Sequence, residues 1–103
     1  MNNETDILLW LQQWYNNNCN GDWEHGYGIK IGNLDNPGWC VDIDLIDTKY
    51  ENIEIAWVEN KTSYQNWCDY HVKDKKFEGY GDPFKLQTIL EKFREIIEEA
   101  DKK

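Results

Sequence analysis

The sequence has a single arginine, Arg94, and no sustained basic run. Nucleic-acid binding depends on lysine and arginine neutralising phosphates, so that class loses its electrostatic footing here. An anionic membrane surface is disfavoured for the same reason. Apolar runs are short as well, and none approaches the ~18 residues needed to span a bilayer. The three cysteines, Cys19, Cys40 and Cys68, are odd in number and form no CxxC pair. A disulfide framework would want an even count in a secreted setting. The opening Met1-Asn2-Asn3-Glu4 lacks the basic-then-apolar pattern of a secretory signal, so a cytosolic setting is expected. No glycine-rich phosphate loop is present, because Gly26-Tyr27-Gly28 precedes a strand pattern and not a helix.

What the chain has in quantity is aromatic residues and acid. Six Trp, six Tyr and three Phe in 103 residues supply a core for one domain, residues 1–103. Large rings bury ~150–250 Å² each, which argues against disorder despite 30% charged residues. Twenty acidic against 11 basic residues give a formal net charge of −9. Such an excess attracts and steers a basic protein partner. It also simply keeps a small protein soluble.

Residues 4–16 read as a helix capped by Asn3 or Thr5, with Leu8, Leu11 and Tyr15 on one face beside Ile7, Trp10 and Trp14. The Asn-rich segment 16–21 ends it. From Tyr27 the period falls to two. Tyr27, Ile29 and Ile31 alternate with Gly28, Lys30 and Gly32, and a Pro37-Gly38 turn follows, with Gly38 expected at positive φ. Trp39, Val41, Ile43 and Leu45 then alternate with Cys40, Asp42, Asp44 and Ile46. Ile53, Ile55 and Trp57 predict a third strand on one face, and Asn60–Ser63 a hairpin loop. Trp67–Lys73 and a short stretch around Phe77 complete the strands, before a turn at Gly79-Tyr80-Gly81. Asp82-Pro83 opens a last helix as N-cap and first position. Its buried stripe is Leu86, Ile89, Leu90, Phe93, Ile96, Ile97 and Ala100. The order predicts an α+β domain: an N-terminal helix, an antiparallel meander of about five strands, and a C-terminal helix on the same sheet face.

The densest polar cluster is Gly21-Asp22-Trp23-Glu24-His25-Gly26-Tyr27. Asp22, Glu24 and His25, with Cys19 nearby, have the chemistry of a metal site or an acid–base pair. Three neighbouring side chains rarely converge on one ion, however, and only one other histidine, His71, exists. A structural loop fits better, with Asp22 capping a turn, Trp23 plugging the core edge and His25 bonded to backbone. No metal or cofactor is expected. Cys40 and Cys68 lie in strand patterns and read as small apolar residues. Cys19, among acidic neighbours, makes a poor nucleophile. Asp42 and Asp44 share the outward face of one strand, and Glu54 is expected beside them on the next. Like charges facing across strands are destabilising, which hints at an external use for an acidic face.

The stretch Trp10-Leu11-Gln12-x-Trp14-Tyr15, then Cys19-x-Gly21-Asp22-Trp23-Glu24-His25-Gly26-Tyr27-Gly28-Ile29-Lys30-Ile31, then Leu34-Asp35-Asn36-Pro37-Gly38-Trp39, resembles the immunity protein 53 family. The resemblance is densest over residues 8–46. It implies a non-enzymatic bacterial protein that neutralises a cognate toxin of a polymorphic toxin system, and it carries over no catalytic residue. Asp22, Glu24, His25, Asp42, Asp44 and Glu54 are the candidate partner-binding residues on this reading. Exposed aromatics also allow a homodimer.

Overall fold

The computed structural model describes residues 6–103. Its elements run α1 (Asp6–Asn18), α2 (Trp23–Gly26), β1 (Ile29–Leu34), β2 (Gly38–Asp44), β3 (Ile55–Ser63), β4 (Asn66–Lys73), β5 (Lys76–Gly81) and α3 (Leu86–Asp101). The five strands form one antiparallel sheet in the order β1-β2-β5-β4-β3. This is the α+β architecture expected. The meander itself runs through β3, β4 and β5, while the β1–β2 hairpin docks against β5 and makes the other edge. Residues 45–54 carry the chain from β2 across one end of the sheet to the far edge.

One face of the sheet holds the core. Val41 and Ile43 of β2, Phe77 of β5 and Val72 of β4 are almost completely buried, together with Ile89, Leu90, Phe93 and Ile97 of α3. Enclosing side chains of this kind is worth about 1.5–3 kcal/mol each. Phe93 is the hub. Trp10 and Trp14 of α1 meet it edge-on at 5.9 and 5.0 Å, and Phe77 lies 5.1 Å below. Helix α1 therefore braces α3 through aromatic contacts. The buried stripe of α1 is Ile7, Leu11 and Trp14, spaced by four and three. Leu8 and Tyr15, both expected in the stripe, are exposed instead, so the predicted stripe is rotated by part of a turn. The expected caps Asn3 and Thr5 lie outside the described residues.

Gly79-Tyr80-Gly81 is strand and not a turn, for a reason of space. A Cβ on Gly79 would stand 2.5 Å from Ile89 Cγ2, and one on Gly81 would stand 2.7 Å from Lys85 Cβ. The glycines let α3 lie directly on the central strand β5. Gly38 serves the same end, since a Cβ there would overlap the Gly81 carbonyl oxygen, and its φ is not positive.

Asp82 is the one buried charged residue among those described, with no exposed surface. Its carboxylate accepts from the Trp67 and Phe84 amides, both at 2.8 Å, and from Lys85 Nζ at 2.9 Å. Burial works to raise this carboxyl and is outweighed by Lys85 and the two amides, so it stays below its ordinary range. It thereby ties the start of β4 to the approach of α3. The helix begins at Leu86, after a turn over 82–85, and not at Pro83.

Strand β3 departs most from its predicted form. It continues through Asn60–Ser63, leaving Tyr64-Gln65 as the turn. Ile55 pairs with Val72 and Val58 with Tyr70, so two residues, Ala56 and Trp57, oppose one, His71. That bulge turns Trp57 away from the core face that Ile55 occupies. The β4–β5 connection is equally indirect in sequence: Asp74 (φ 56°) and Lys75 (φ 64°) both adopt left-handed conformations without a glycine. A two-residue hairpin turn of this hand demands it.

Candidate functional site

The polar loop after α1 is organised by its backbone. Asn20 Oδ1 accepts from the Asp22 and Trp23 amides at 2.9 and 3.0 Å, opening the short helix α2. Asparagine thus does the capping expected of Asp22, whose own side chain makes no cap bond. Glu24 reaches back to the Asn20 and Gly21 amides at 2.9 and 2.8 Å. Backbone N–H groups, its own first, hold its carboxyl below the ordinary value. Trp23 is buried, edge-on to Trp14 at 6.1 Å, which is the plug expected of it. Asp22 and His25 are exposed. Glu24, His25 and Asp44 line a groove of about 520 Å³ between α1 and the start of β1. Among the described residues, no three His, Cys, Asp or Glu side chains are grouped to hold a metal.

Cys68 is buried, and burial raises its thiol, so it behaves as the small apolar residue expected. Cys40 is half-buried on the opposite face, and all three cysteines are free. No described helix is long and apolar enough to cross a membrane.

The other face of the sheet carries no helix. None of its side chains is buried, although three of the five strands are internal. Strand register places them in rows. Lys30, Asp42, Glu78 and His71 form one row across β1, β2, β5 and β4. Gly32, Cys40, Tyr80, Asp69 and Glu59 form the next, running on to β3. Acid occupies the middle of the face, while Lys30 and Lys61 stand on the edge strands and Lys73 and Lys76 flank the β4–β5 turn. Asp42 meets Glu78 directly. Its carboxyl is raised, first by burial and then by Glu78, with Lys76 opposing. The Tyr80 phenol is raised for the same reasons, burial first and then Glu78 and Asp42.

Asp42 and Asp44 do lie on this outward side, with Asp44 opposite Lys76 and accepting from the Gly28 amide at 3.0 Å. Glu54 does not join them. Strand β2 lies between β1 and β5, so Glu54, ahead of β3, falls at the far edge beside Glu95 and Glu99 of α3. The like-charge contact expected across strands is made by Asp42 and Glu78 instead.

Sequence reasoning missed the aromatic part of this face. Trp57 is 52% exposed and stacks on the His71 ring at 3.9 Å, 9° from parallel. His71 Nε2 in turn sits 2.6 Å from Glu78 Oε1. Tyr80 lies 5.9 Å from Trp57, its ring tilted by 35°. Tyr64, in the β3–β4 turn, and Phe84, after β5, stand at the same end of the sheet and are 84% and 87% exposed. Alternation alone placed Trp57 with Ile55, because a bulge leaves no local sequence signal.

The sequence model of the family described as Immunity protein 53 matches residues 8–98. The chain belongs to the immunity protein 53 family. No curated protein and no solved structure matches it significantly. The match spans both sheet edges, the loop of Asp22–His25 and nearly all of α3, so the family covers the whole fold and not one motif.

Proposed function

We propose that this immunity protein neutralises a cognate toxin domain of a bacterial polymorphic toxin system by forming a stoichiometric complex with it in the cytoplasm. The observation that carries the reading is the family match over residues 8–98. Physical chemistry supports it. A net charge of −9 favours encounter with a basic partner. The uncovered sheet face exposes Trp and Tyr rings, the residue types enriched at binding hot spots, beside acid that complements a basic partner. No step in this reading makes or breaks a bond.

Asp42 belongs to the proposed contact face, and Asp44 stands at its margin. Asp22 and His25 are exposed on the loop beside the groove and are available to the same partner. Glu24 is spent on the Asn20 and Gly21 amides, and Glu54 lies away from the others. Co-expression with the toxin encoded beside it tests the reading. Restored growth and co-elution of the two proteins are expected; continued toxicity with separate elution would reject it. Asp42→Lys should slow association and flatten its dependence on salt.

A further inference from the structure

Between the exposed aromatic rings lies a basin of about 350 Å³, lined by Leu34, Trp57, Glu59, Trp67, Asp69 and Tyr80. Three aromatic rings and two carboxylates line it, and no cation does. None of the ion pairs formed among the described residues involves Glu59 or Asp69. Asp69 gives one oxygen to the Asn60 amide at 3.2 Å, which fixes its carboxylate without neutralising it. Lys61, which lines the adjoining cavity with Trp67 and Asp69, is engaged over the Tyr64 ring at 4.8 Å. The walls are also held in place. His71 backs Trp57 and is itself anchored to Glu78. The Trp67 amide is bonded to the buried Asp82.

Resting on the reading that this chain binds a toxin, we propose that the basin receives an arginine side chain projecting from that partner. A guanidinium is planar, stacks on tryptophan and tyrosine faces, and forks two N–H groups onto a carboxylate. Each wall has one of those functions. Trp57, Trp67 and Tyr80 offer ring faces and edges, and Glu59 and Asp69 offer the uncompensated charge. Small-molecule sites run to about 300–1,000 Å³, so this basin is at the low end and suits one long side chain. Its place on the open face puts it amid the other exposed aromatics, where hot spots cluster.

The test uses the full chain labelled with ¹⁵N and two short blocked peptides, one with a central arginine and one with citrulline, its neutral near-isostere. The arginine peptide should shift the indole signals of Trp57 and Trp67, citrulline should not, and the Glu59→Gln/Asp69→Asn double variant should lose the response. Both substitutions are isosteric and exposed or half-exposed, so folding is spared. Equal shifts with both peptides, or none with either, would overturn the proposal. So would indole shifts that track protein concentration without peptide, which would assign the basin to a second copy of this chain. In the toxin complex, Trp57→Ala should weaken affinity by about 30-fold and the double variant by about tenfold or more. Wild-type binding with both variants within about twofold of it would sink the basin and leave the immunity reading standing. A wild-type chain that neither binds nor rescues would instead sink the immunity reading, while the peptides still decide whether the basin takes arginine.

Discussion

The two faces of the sheet are built to opposite rules from the same five strands. On the helix side, the alternate residues of the three internal strands are nearly all apolar or glycine, and most are buried. Glycines at 79 and 81 let α3 settle on β5, and the one charge at its margin, Asp82, is fully satisfied. On the other side most of the alternate residues are charged or aromatic, Gly32 and Cys40 being exceptions, and no side chain is buried. There Asp42 and Glu78 face each other across β2 and β5, an arrangement that costs the free protein stability and that a basic partner would relieve. The difference shows which face makes the fold; the other is the face proposed to receive the partner.

Substitutions should separate the faces by size of effect. Phe93→Ala removes the hub shared by Trp10, Trp14 and Phe77 and should cost about 3–5 kcal/mol by urea denaturation, a large part of a small domain's stability. Asp82→Asn breaks a buried, charge-assisted contact and should cost about 2–4 kcal/mol near neutral pH. The Asp82 carboxyl is held below its ordinary value of 3.8, so its contribution is present above that value and disappears as pH falls through the folded-state value. The gap between wild type and Asp82→Asn should therefore close in acid, as read from urea midpoints across pH. Gly79→Ala, with its Cβ aimed at Ile89, should cost about 1–3 kcal/mol and lower the melting temperature. The Glu59→Gln/Asp69→Asn pair should move stability by less than about 0.5 kcal/mol in the same assay. If it destabilised as much as a core change, the division between faces would fail.

A last substitution runs the other way. Asp74→Asn/Lys75→Gly supplies the residues that a left-handed two-residue turn prefers and should stabilise by about 1 kcal/mol. The Lys75 Nζ contact to Glu51, at 3.8 Å with half the lysine exposed, offsets little of that. Toxin affinity should not change.

The helix face was legible in the sequence because its signal is local. The period of α3 named Leu86, Ile89, Leu90, Phe93 and Ile97 correctly, and the alternation of β2 named Val41 and Ile43. The open face was legible only in part. Asp42 could be placed outward from alternation, but its neighbour Glu78 depends on β5 sitting between β2 and β4, a pairing set by long-range packing. Trp57 required knowledge of a bulge opposite His71. Gly79 and Gly81 resembled a turn because the reason for them, Ile89 and Lys85 overhead, lies in another element. Asp82 resembled an N-cap, and its contact to Trp67 spans fifteen residues. Pairing order and close approach are properties of the assembled chain, and a single sequence does not display them.

The proposed mode of action is occupancy of the target and not alteration of it. Titrating purified chain into a fixed amount of active toxin domain, at concentrations well above the dissociation constant, tests that most directly. Residual toxin activity should fall linearly and reach its floor at one equivalent, with activity regained when the complex is dissociated. Loss of activity at a small fraction of an equivalent, persisting after the two proteins are separated, would contradict it.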